Sequence, residues 1–285
     1  SQAVGMLDAW GDHPAVQETL KEASDAMGED LGKLIHEGPA DVLAMTVNTQ
    51  PVMLVAGVAA WRVWRAEGGA LPLAVAGHSL GEYSALVAAG SLTLAQAAPL
   101  VRFRAQAMQD AVPPGTGAMA AVLGLSAAAV VAGCLEAQAS FGAGSAEVVE
   151  AVNYNDPVQT VIAGSKAAVD KACEVLKAHG AKRTLPLPVS APFHSSLMKP
   201  AAEKLKEKLA ATSFAVPQIP VINNIDVAVE SDPDRIREAL YRQAFGPVRW
   251  VECVGAIKAR GIDTLVECGP RKVLAAINTY AQAGR

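Results

Sequence analysis

The chain alternates between short apolar runs and longer stretches in which apolar residues recur at helical spacing. One apolar run, residues 71–77, ends in glycine and leads into a helical stretch that stops at Gly90. This pattern predicts a strand, a tight turn and a helix in immediate succession. We expect the helical stretch at residues 40–66 to be interrupted near Gln50 and Pro51, because proline cannot donate a helical hydrogen bond. The helices predicted before residue 115 span residues 13–28, 40–66, 81–90 and 91–112.

After Gly115 the order of elements becomes strand, helix, strand, strand, helix and strand. This βαββαβ order is the split βαβ arrangement of a ferredoxin-like subdomain, and it predicts an insertion at residues 116–188. Its strands are predicted at residues 118–125, 147–155, 159–164 and 182–190, and its helices at residues 126–139 and 165–180. The first pattern then returns, with helices at residues 195–211, 234–244 and 247–260, strands at 219–225 and 263–269, and a final helix.

The composition indicates a layered α/β protein. Hydrophobic residues make up 51% of the chain but aromatic residues only 5%, so Ala, Val and Leu must build a core of closely packed helices and strands. A chain of 285 residues can form one large domain or two unequal ones. Two lobes of this kind leave a cleft between them, where ligands usually bind.

Charge and cysteine content exclude several functional classes. The formal net charge of −4 and the lack of a long basic run disfavour binding to nucleic acid or to anionic membranes. The uncharged window at residues 116–135 is divided by glycines and by Ser126, so we interpret it as strand and helix rather than a membrane span. Widely separated cysteines and the lack of a signal peptide favour a reduced, cytoplasmic protein without structural metal. The cysteines are Cys134, Cys173, Cys253 and Cys268.

The segment Gly77-His78-Ser79-Leu80-Gly81 has the GxSxG pattern of a nucleophile elbow and lies at the predicted strand-to-helix turn. Such a turn is so tight that the flanking positions are expected to require glycine. It presents the serine hydroxyl at the carboxyl edge of the sheet, beside a helix N-terminus. We therefore predict that Ser79 is a nucleophile, and the alternative is a glycine-rich turn with a capping serine.

A serine nucleophile needs a base, and histidine has a suitable pKa for that task. His78 is adjacent to Ser79, but neighbouring side chains in a tight turn point apart. We therefore interpret His78 as a structural part of the turn, and the alternative is a direct role in the reaction. His194 lies between a predicted strand and a helix, at the same sheet edge as Ser79, and is the predicted base, with a loop histidine as the alternative. The histidines interpreted as structural or solvated are His13, His36 and His179.

Five segments together resemble the malonyl-CoA:acyl carrier protein transacylases, in order and across nearly the whole chain. These segments are GHSLGEYSALVAAG, PPGTGAMAAVLGL, NYNDPVQTVIAG, LPLPVSAPFHSSLMKPA and RQAFGPVRW. The resemblance implies an α/β-hydrolase-like catalytic domain at residues 1–115 and 189–285, with the ferredoxin-like subdomain at residues 116–188. It also implies a serine-histidine pair without the usual acid.

The resemblance implies specific roles around the serine. By motif match Ser79 is the nucleophile and His194 the base, while the main-chain carbonyl of Gln243 orients the histidine in place of an aspartate. The N–H of Leu80 contributes to the oxyanion hole. Arg104 matches the arginine that pairs with the free carboxylate of malonate, which a guanidinium can hold through two parallel hydrogen bonds.

Other positions follow from the same motif match. Without the resemblance, Arg104 would be interpreted as a helix-surface arginine, as Arg102 is. Phe193 resembles the malonyl-selective members of the family, which implies little room for the extra methyl group of methylmalonyl. Further substrate-binding residues implied by the resemblance are His78, Asn153 and Asn155.

Family members begin with a strand and a GQGSQ-type loop whose first glutamine donates a main-chain N–H to the oxyanion hole. This sequence starts at Ser1-Gln2, inside that motif. The resemblance therefore predicts that a strand and the start of the loop precede Ser1 in the natural protein. Within the sequence itself, Leu80 is the oxyanion donor that the motif identifies.

The implied reaction moves the malonyl group of malonyl-CoA to the phosphopantetheine thiol of acyl carrier protein through a covalent malonyl-serine, for fatty acid synthesis. No metal or redox cofactor is implied, and we expect a monomer that binds neither nucleic acid nor membrane. One alternative is a serine esterase or thioesterase, which would use water as the acceptor. Another is a catalytically impaired module that docks carrier protein.

Overall fold

Helices dominate the first part of the chain in the computed structural model, which describes residues 1–189 and 191–275. Helices α1 to α6 span Pro14–Met27, Leu31–Glu37, Ala40–Ala44, Thr46–Ala66, Gly81–Ala88 and Leu94–Asp110. Helix α4 is central, because most of its side chains from Val52 to Val63 are buried and α1, α5 and α6 pack against it. This helical layer forms the large core and supports the turn that contains Ser79.

The predicted interruption of the second helix near Gln50 and Pro51 is wrong. The chain instead breaks at Met45, whose extended backbone ends α3 and precedes α4, and Pro51 lies inside α4. Proline removes one backbone hydrogen bond from a helix. The burial of the apolar face that follows, from Val52 onward, offsets that loss.

The strands of the described residues form two sheets, and five further helices follow the first six. Strands β1 to β6 span Val75–Ala76, Gly117–Leu123, Val149–Asp156, Gln159–Ser165, Arg183–Pro186 and Val221–Ile222. Helices α7 to α11 span Ala127–Ala139, Lys166–Ala178, Lys199–Ala210, Pro233–Ala244 and Trp250–Ala259. The described residues therefore form an α/β structure with one parallel and one antiparallel sheet.

The antiparallel sheet has four strands in the order β3-β4-β2-β5. Helices α7 and α8 cover one face of it and enclose a small separate core that includes Val130, Ile162 and Leu176. The opposite face carries Met119 and Val161, and Phe193 packs against it. This face of the sheet therefore meets the chain segment that carries His194.

The parallel sheet consists of β1 and β6, which pair over two residues each. The predicted strands at residues 71–77 and 219–225 are thus much shorter than expected, and residues 263–269 form no strand. A strand forms only where its backbone groups meet a partner strand. In the described part of the chain β1 pairs with β6, and β6 otherwise makes an isolated bridge between Ile222 and Val229. The predicted final helix falls mainly on residues 276–285, which lie outside the described residues.

Backbone hydrogen bonds tie the antiparallel sheet to the segment that precedes α11. The N–H of Val248 donates to the carbonyl of Val152 at 2.8 Å, and the N–H of Tyr154 donates to the carbonyl of Val248 at 2.9 Å. These bonds fix β3 against the segment that leads into α11. In the described ranges, no helix is long and apolar enough to cross a membrane.

Candidate active site

Ser79 lies between β1 and α5 in a left-handed backbone conformation, with φ of 53°. Such a conformation costs a residue other than glycine about 1 to 3 kcal/mol. Gly77 is required by close packing, because a Cβ atom there would lie 1.9 Å from the carbonyl carbon of Gly81. The expectation that both flanking positions need glycine is wrong for Gly81, where a Cβ would meet nothing within 4 Å. The turn therefore has the tight, strained geometry of a nucleophile elbow.

His194 lies beside this serine. Its Nε2 is 2.7 Å from the Oγ of Ser79, and its Nδ1 is 2.7 Å from the main-chain carbonyl oxygen of Gln243. Because a carbonyl only accepts, Nδ1 carries the proton and donates it to Gln243. The unprotonated Nε2 therefore faces the serine hydroxyl, as a general base must.

Burial keeps this histidine neutral. Burial, followed by the positive charge of Arg104, lowers the pKa of His194 from its ordinary value of 6.5 to about 3, against the opposing effect of the bond to Gln243. A neutral imidazole at physiological pH can accept a proton. The same shift makes it a weaker base than an imidazole oriented by a carboxylate, as in a Ser-His-Asp triad.

Arg104 projects from α6 into the same site, although it is only 1% exposed. Its guanidinium donates to the Oγ of Ser79 at 3.0 Å, to Oε1 of Gln50 at 2.7 Å and to Oε1 of Gln243 at 3.1 Å. All three acceptors are neutral, and the Nε of Arg104 has no partner among residues 1–189 and 191–275. A buried cation whose hydrogen-bond acceptors are neutral, beside Ser79, is suited to an anionic ligand.

The N–H of Leu80 lies just before α5 and has no acceptor in the described part of the chain. The next N–H groups are occupied, because Gly81 donates to the carbonyl of His78 and Glu82 donates to that of Ser79. A free N–H directly after the serine, at a helix N-terminus, can stabilise a developing oxyanion.

The other predicted substrate-binding residues lie at the edge of the antiparallel sheet. His78 Nε2 is 2.8 Å from Oδ1 of Asn155, and its ring lies 5.7 Å from that of Trp250. Burial lowers the pKa of His78. The side-chain oxygen of Asn153 is buried without a partner among the described residues. His78 therefore links the elbow to β3 rather than extending toward solvent.

The three histidines interpreted as structural lie away from Ser79 and pair with carboxylates. His13 is 2.8 Å from Glu67 and also caps α1, where its ring accepts from the N–H of Ala15. The corresponding distances are 2.7 Å from His36 to Asp8 and 2.7 Å from His179 to Glu136. In the described ranges, no group of three or more His, Cys, Asp or Glu side chains could hold a metal ion.

Sequence analysis missed three buried polar residues that surround the elbow: Gln50, Glu82 and Asn224. Glu82 accepts from the N–H of Asn224 at 2.7 Å and from Nε2 of Gln243 at 2.9 Å, and burial raises its pKa to about 8. A carboxylate in an otherwise apolar helix, directly after the GxSxG segment, was the available signal. The contacts of Gln50 and Asn224 had no such signal, because they join residues far apart in sequence.

The turn that carries Ser79, the adjacent His194 and the α/β architecture fit the class of enzymes that transfer acyl groups. A family model described as the acyl transferase domain matches residues 1–283. The malonyl CoA-acyl carrier protein transacylase of Escherichia coli strain K12 is 52% identical over 275 residues, which cover 96% of this chain and 87% of that protein. The chain therefore belongs to the family of malonyl CoA-acyl carrier protein transacylases.

Solved structures agree with this assignment. An acyl-carrier-protein S-malonyltransferase from Burkholderia pseudomallei 1710b is 61% identical, with a TM-score of 0.94, and the match covers 98% of this chain and 89% of that one. A malonyl-transacylase in complex with a type II PKS acyl carrier protein is 47% identical, with a TM-score of 0.94 and coverages of 98% and 89%. The described fold is thus shared with a malonyl-transacylase that was solved in complex with an acyl carrier protein.

Proposed function

We propose that this protein transfers a malonyl group from malonyl-CoA to the phosphopantetheine thiol of acyl carrier protein, supplying fatty acid synthesis. The observation that carries the proposal is the convergence of two side chains on one oxygen. The Oγ of Ser79 lies 2.7 Å from His194 Nε2 and 3.0 Å from a guanidinium nitrogen of Arg104. One group can take the proton from this oxygen, and the other can hold an anionic substituent close to it.

In the first half of the reaction, the Oγ of Ser79 attacks the thioester carbonyl while its proton moves to Nε2 of His194. The N–H of Leu80 donates to the oxyanion that forms. When the carbon–sulfur bond breaks, the CoA sulfur takes the proton from His194. The malonyl group remains as an ester on Ser79.

The second half reverses these steps with a different thiol. The phosphopantetheine thiol gives its proton to His194 as its sulfur attacks the ester carbonyl. The bond to Ser79 breaks, and the proton returns to Oγ. The carbonyl of Gln243 fixes the orientation of the imidazole in both halves, since it accepts from Nδ1 throughout.

The division into domains is part of the same proposal. Residues 116–188 form the ferredoxin-like subdomain, and residues 1–115 and 189–285 form the α/β-hydrolase-like catalytic domain. The strand order β3-β4-β2-β5 supports the first assignment. The β1–turn–α5 unit with its elbow serine supports the second. The acyl group would then bind between the two, where His78 meets Asn155.

Replacing Arg104 with alanine should lower kcat/KM for malonyl-CoA by about 100-fold to about 4000-fold and change the value for acetyl-CoA far less. Leaving a buried charge without its partner costs about 3 to 5 kcal/mol, and each 1.4 kcal/mol corresponds to a factor of about ten. Only malonyl carries the carboxylate that loses its partner. The measurement is kcat/KM for both CoA esters, with carrier protein in excess.

Arg102→Ala is the matched control. Arg102 lies on the same helix but pairs with Glu29 at 2.6 Å and 2.9 Å, away from the serine. We expect its variant to keep the preference for malonyl-CoA. An equal fall for both esters in Arg104→Ala would mean that Arg104 supports the fold or CoA binding, and the malonyl assignment would fail.

A further inference from the structure

The strained backbone of Ser79 needs support from outside its own turn. Its φ of 53° is unfavourable for serine, and a residue stays in such a conformation only where its surroundings hold it there. The packing of Gly77 against Gly81 accounts for the shape of the turn but not for the conformation of the serine itself. The described structure provides one side chain that contacts the backbone on both sides of His78.

That side chain is the carboxamide of Asn224, which follows β6 and is fully buried. Its Oδ1 accepts from the N–H of Ser79 at 2.8 Å, and its Nδ2 donates to the carbonyl of Gly77 at 2.8 Å. Because β6 pairs with β1 in parallel, the end of β6 lies beside the end of β1, where the elbow begins. The carboxamide thus pairs with the backbone N–H of Ser79 and the backbone carbonyl of Gly77, as the main chain of a neighbouring strand would.

The orientation of this carboxamide is fixed by its partners. A backbone N–H can only donate and a carbonyl can only accept, so Oδ1 must face Ser79 and Nδ2 must face Gly77. Gln243 Nε2 also donates to Oδ1, at 3.2 Å, and Glu82 accepts from the main-chain N–H of Asn224 at 2.7 Å. Every polar atom of the side chain therefore has a defined partner.

We propose that Asn224 is a positioning residue for the reaction: its carboxamide holds the Ser79 backbone so that Oγ stays aligned with His194 Nε2. This inference rests on the proposed role of Ser79 as the nucleophile. The Asn224 carboxamide contacts the backbone of Gly77 and Ser79, and among the described residues the Oγ of Ser79 bonds to His194 and Arg104 instead. Asn224 acts on the rate of serine acylation through the geometry of the elbow, in which a misplacement of about 1 Å can cost a factor of about 100.

The test is the acylation rate of Ser79 in Asn224→Ala, measured in single turnovers with malonyl-CoA by quenched intact-mass spectrometry. We expect the maximal rate to fall by about 10-fold to 100-fold, with the half-saturating concentration of malonyl-CoA nearly unchanged. Asn223→Ala is the matched control. The neighbouring Asn223 is also buried, but its Oδ1 accepts from the N–H of Asp226 and makes no contact with the elbow. Its variant should acylate at the wild-type rate.

Asn224→Asp adds a signature that general destabilisation would not give. As a carboxylate, the new side chain can accept from Ser79 N–H but cannot donate to the Gly77 carbonyl, whereas its protonated form can do both. The titratable groups that contact Asn224 among the described residues are Glu82, which accepts from its main-chain N–H, and Cys253, whose thiol interacts with its side chain. Arg104 and Asp226 act in turn on Glu82 through their charges. The acylation rate of this variant, relative to wild type, should therefore rise as pH falls from about 8 to about 5. The relative rate of Asn224→Ala should stay flat.

Several outcomes would overturn the inference. Acylation of Asn224→Ala at the wild-type rate would show that the carboxamide does not position the serine. A parallel fall in Asn223→Ala would assign the effect to the stability of this segment, and so would a flat pH response of Asn224→Asp. If wild type itself formed no malonyl ester on Ser79, the proposed function would fail rather than this inference alone.

Discussion

Replacing Ser79 with alanine should abolish formation of a malonyl-enzyme and reduce transfer to carrier protein by about 10⁶-fold, the scale found when serine enzymes lose their nucleophile. The reason is chemical, because alanine has no oxygen to form the ester. The fold should survive, since the substitution removes one hydroxyl and leaves the backbone bonds of Ser79 to Asn224 and Gln243 in place. The measurements are intact mass after exposure to malonyl-CoA and the rate of transfer.

Ser84→Ala is the control for this variant, because Ser84 lies further along α5 and is also partly buried. It should form the malonyl-enzyme as wild type does. A malonyl mass increment in Ser79→Ala would place the nucleophile elsewhere.

Replacing His194 with alanine should slow acylation of Ser79 by at least about 10³-fold. In the described structure, the Nε2 of His194 is the unprotonated nitrogen that lies 2.7 Å from the Oγ of Ser79. Arg104 cannot replace it as a base because a guanidinium does not accept a proton. The low pKa of about 3 implies that His194 is already neutral throughout the physiological range. The wild-type acylation rate should therefore not depend on the protonation of His194 in this range, whereas the variant should stay slow because it lacks the base. The measurement is the single-turnover acylation rate across pH 6 to about 9.

His179→Ala is the control for the loss of an imidazole. His179 is an exposed side chain at the end of α8, paired with Glu136, and its variant should keep full activity. Equal damage from the two substitutions, or full activity in His194→Ala, would assign the base elsewhere.

The sequence predicted those parts of the site that depend on local pattern. A GxSxG segment between an apolar run and a helix places a serine on an elbow, and a histidine after another apolar run lies at the same sheet edge. The structure brings Ser79 and His194 within hydrogen-bond distance, as this reasoning expected. The order of elements within residues 116–188 was also predictable, because alternating strand and helix periodicity is a local property.

Other features of the site and the fold depend on contacts between segments that are distant in the sequence. A local sequence pattern cannot predict such contacts. Asn224 accepts a hydrogen bond from the N–H of Ser79 although the two residues are 145 positions apart in the sequence. Gln50 accepts from Arg104, which is 54 positions away in the sequence. The apolar run at residues 263–269 has the composition of a strand but no partner ladder in the described structure. Pro51 was expected to break a helix, but burial of the surrounding apolar face overrode that preference.

The central claim is that a malonyl group passes through an ester on Ser79 to a thiol. The most direct measurement is to load the wild-type protein with malonyl-CoA, locate the added mass by peptide mapping, remove free CoA ester, and then add either holo carrier protein or buffer alone. The account predicts an adduct on Ser79 that moves rapidly to the carrier-protein thiol and persists in buffer. An adduct on another residue, or one that water removes as fast as the carrier protein does, would contradict it.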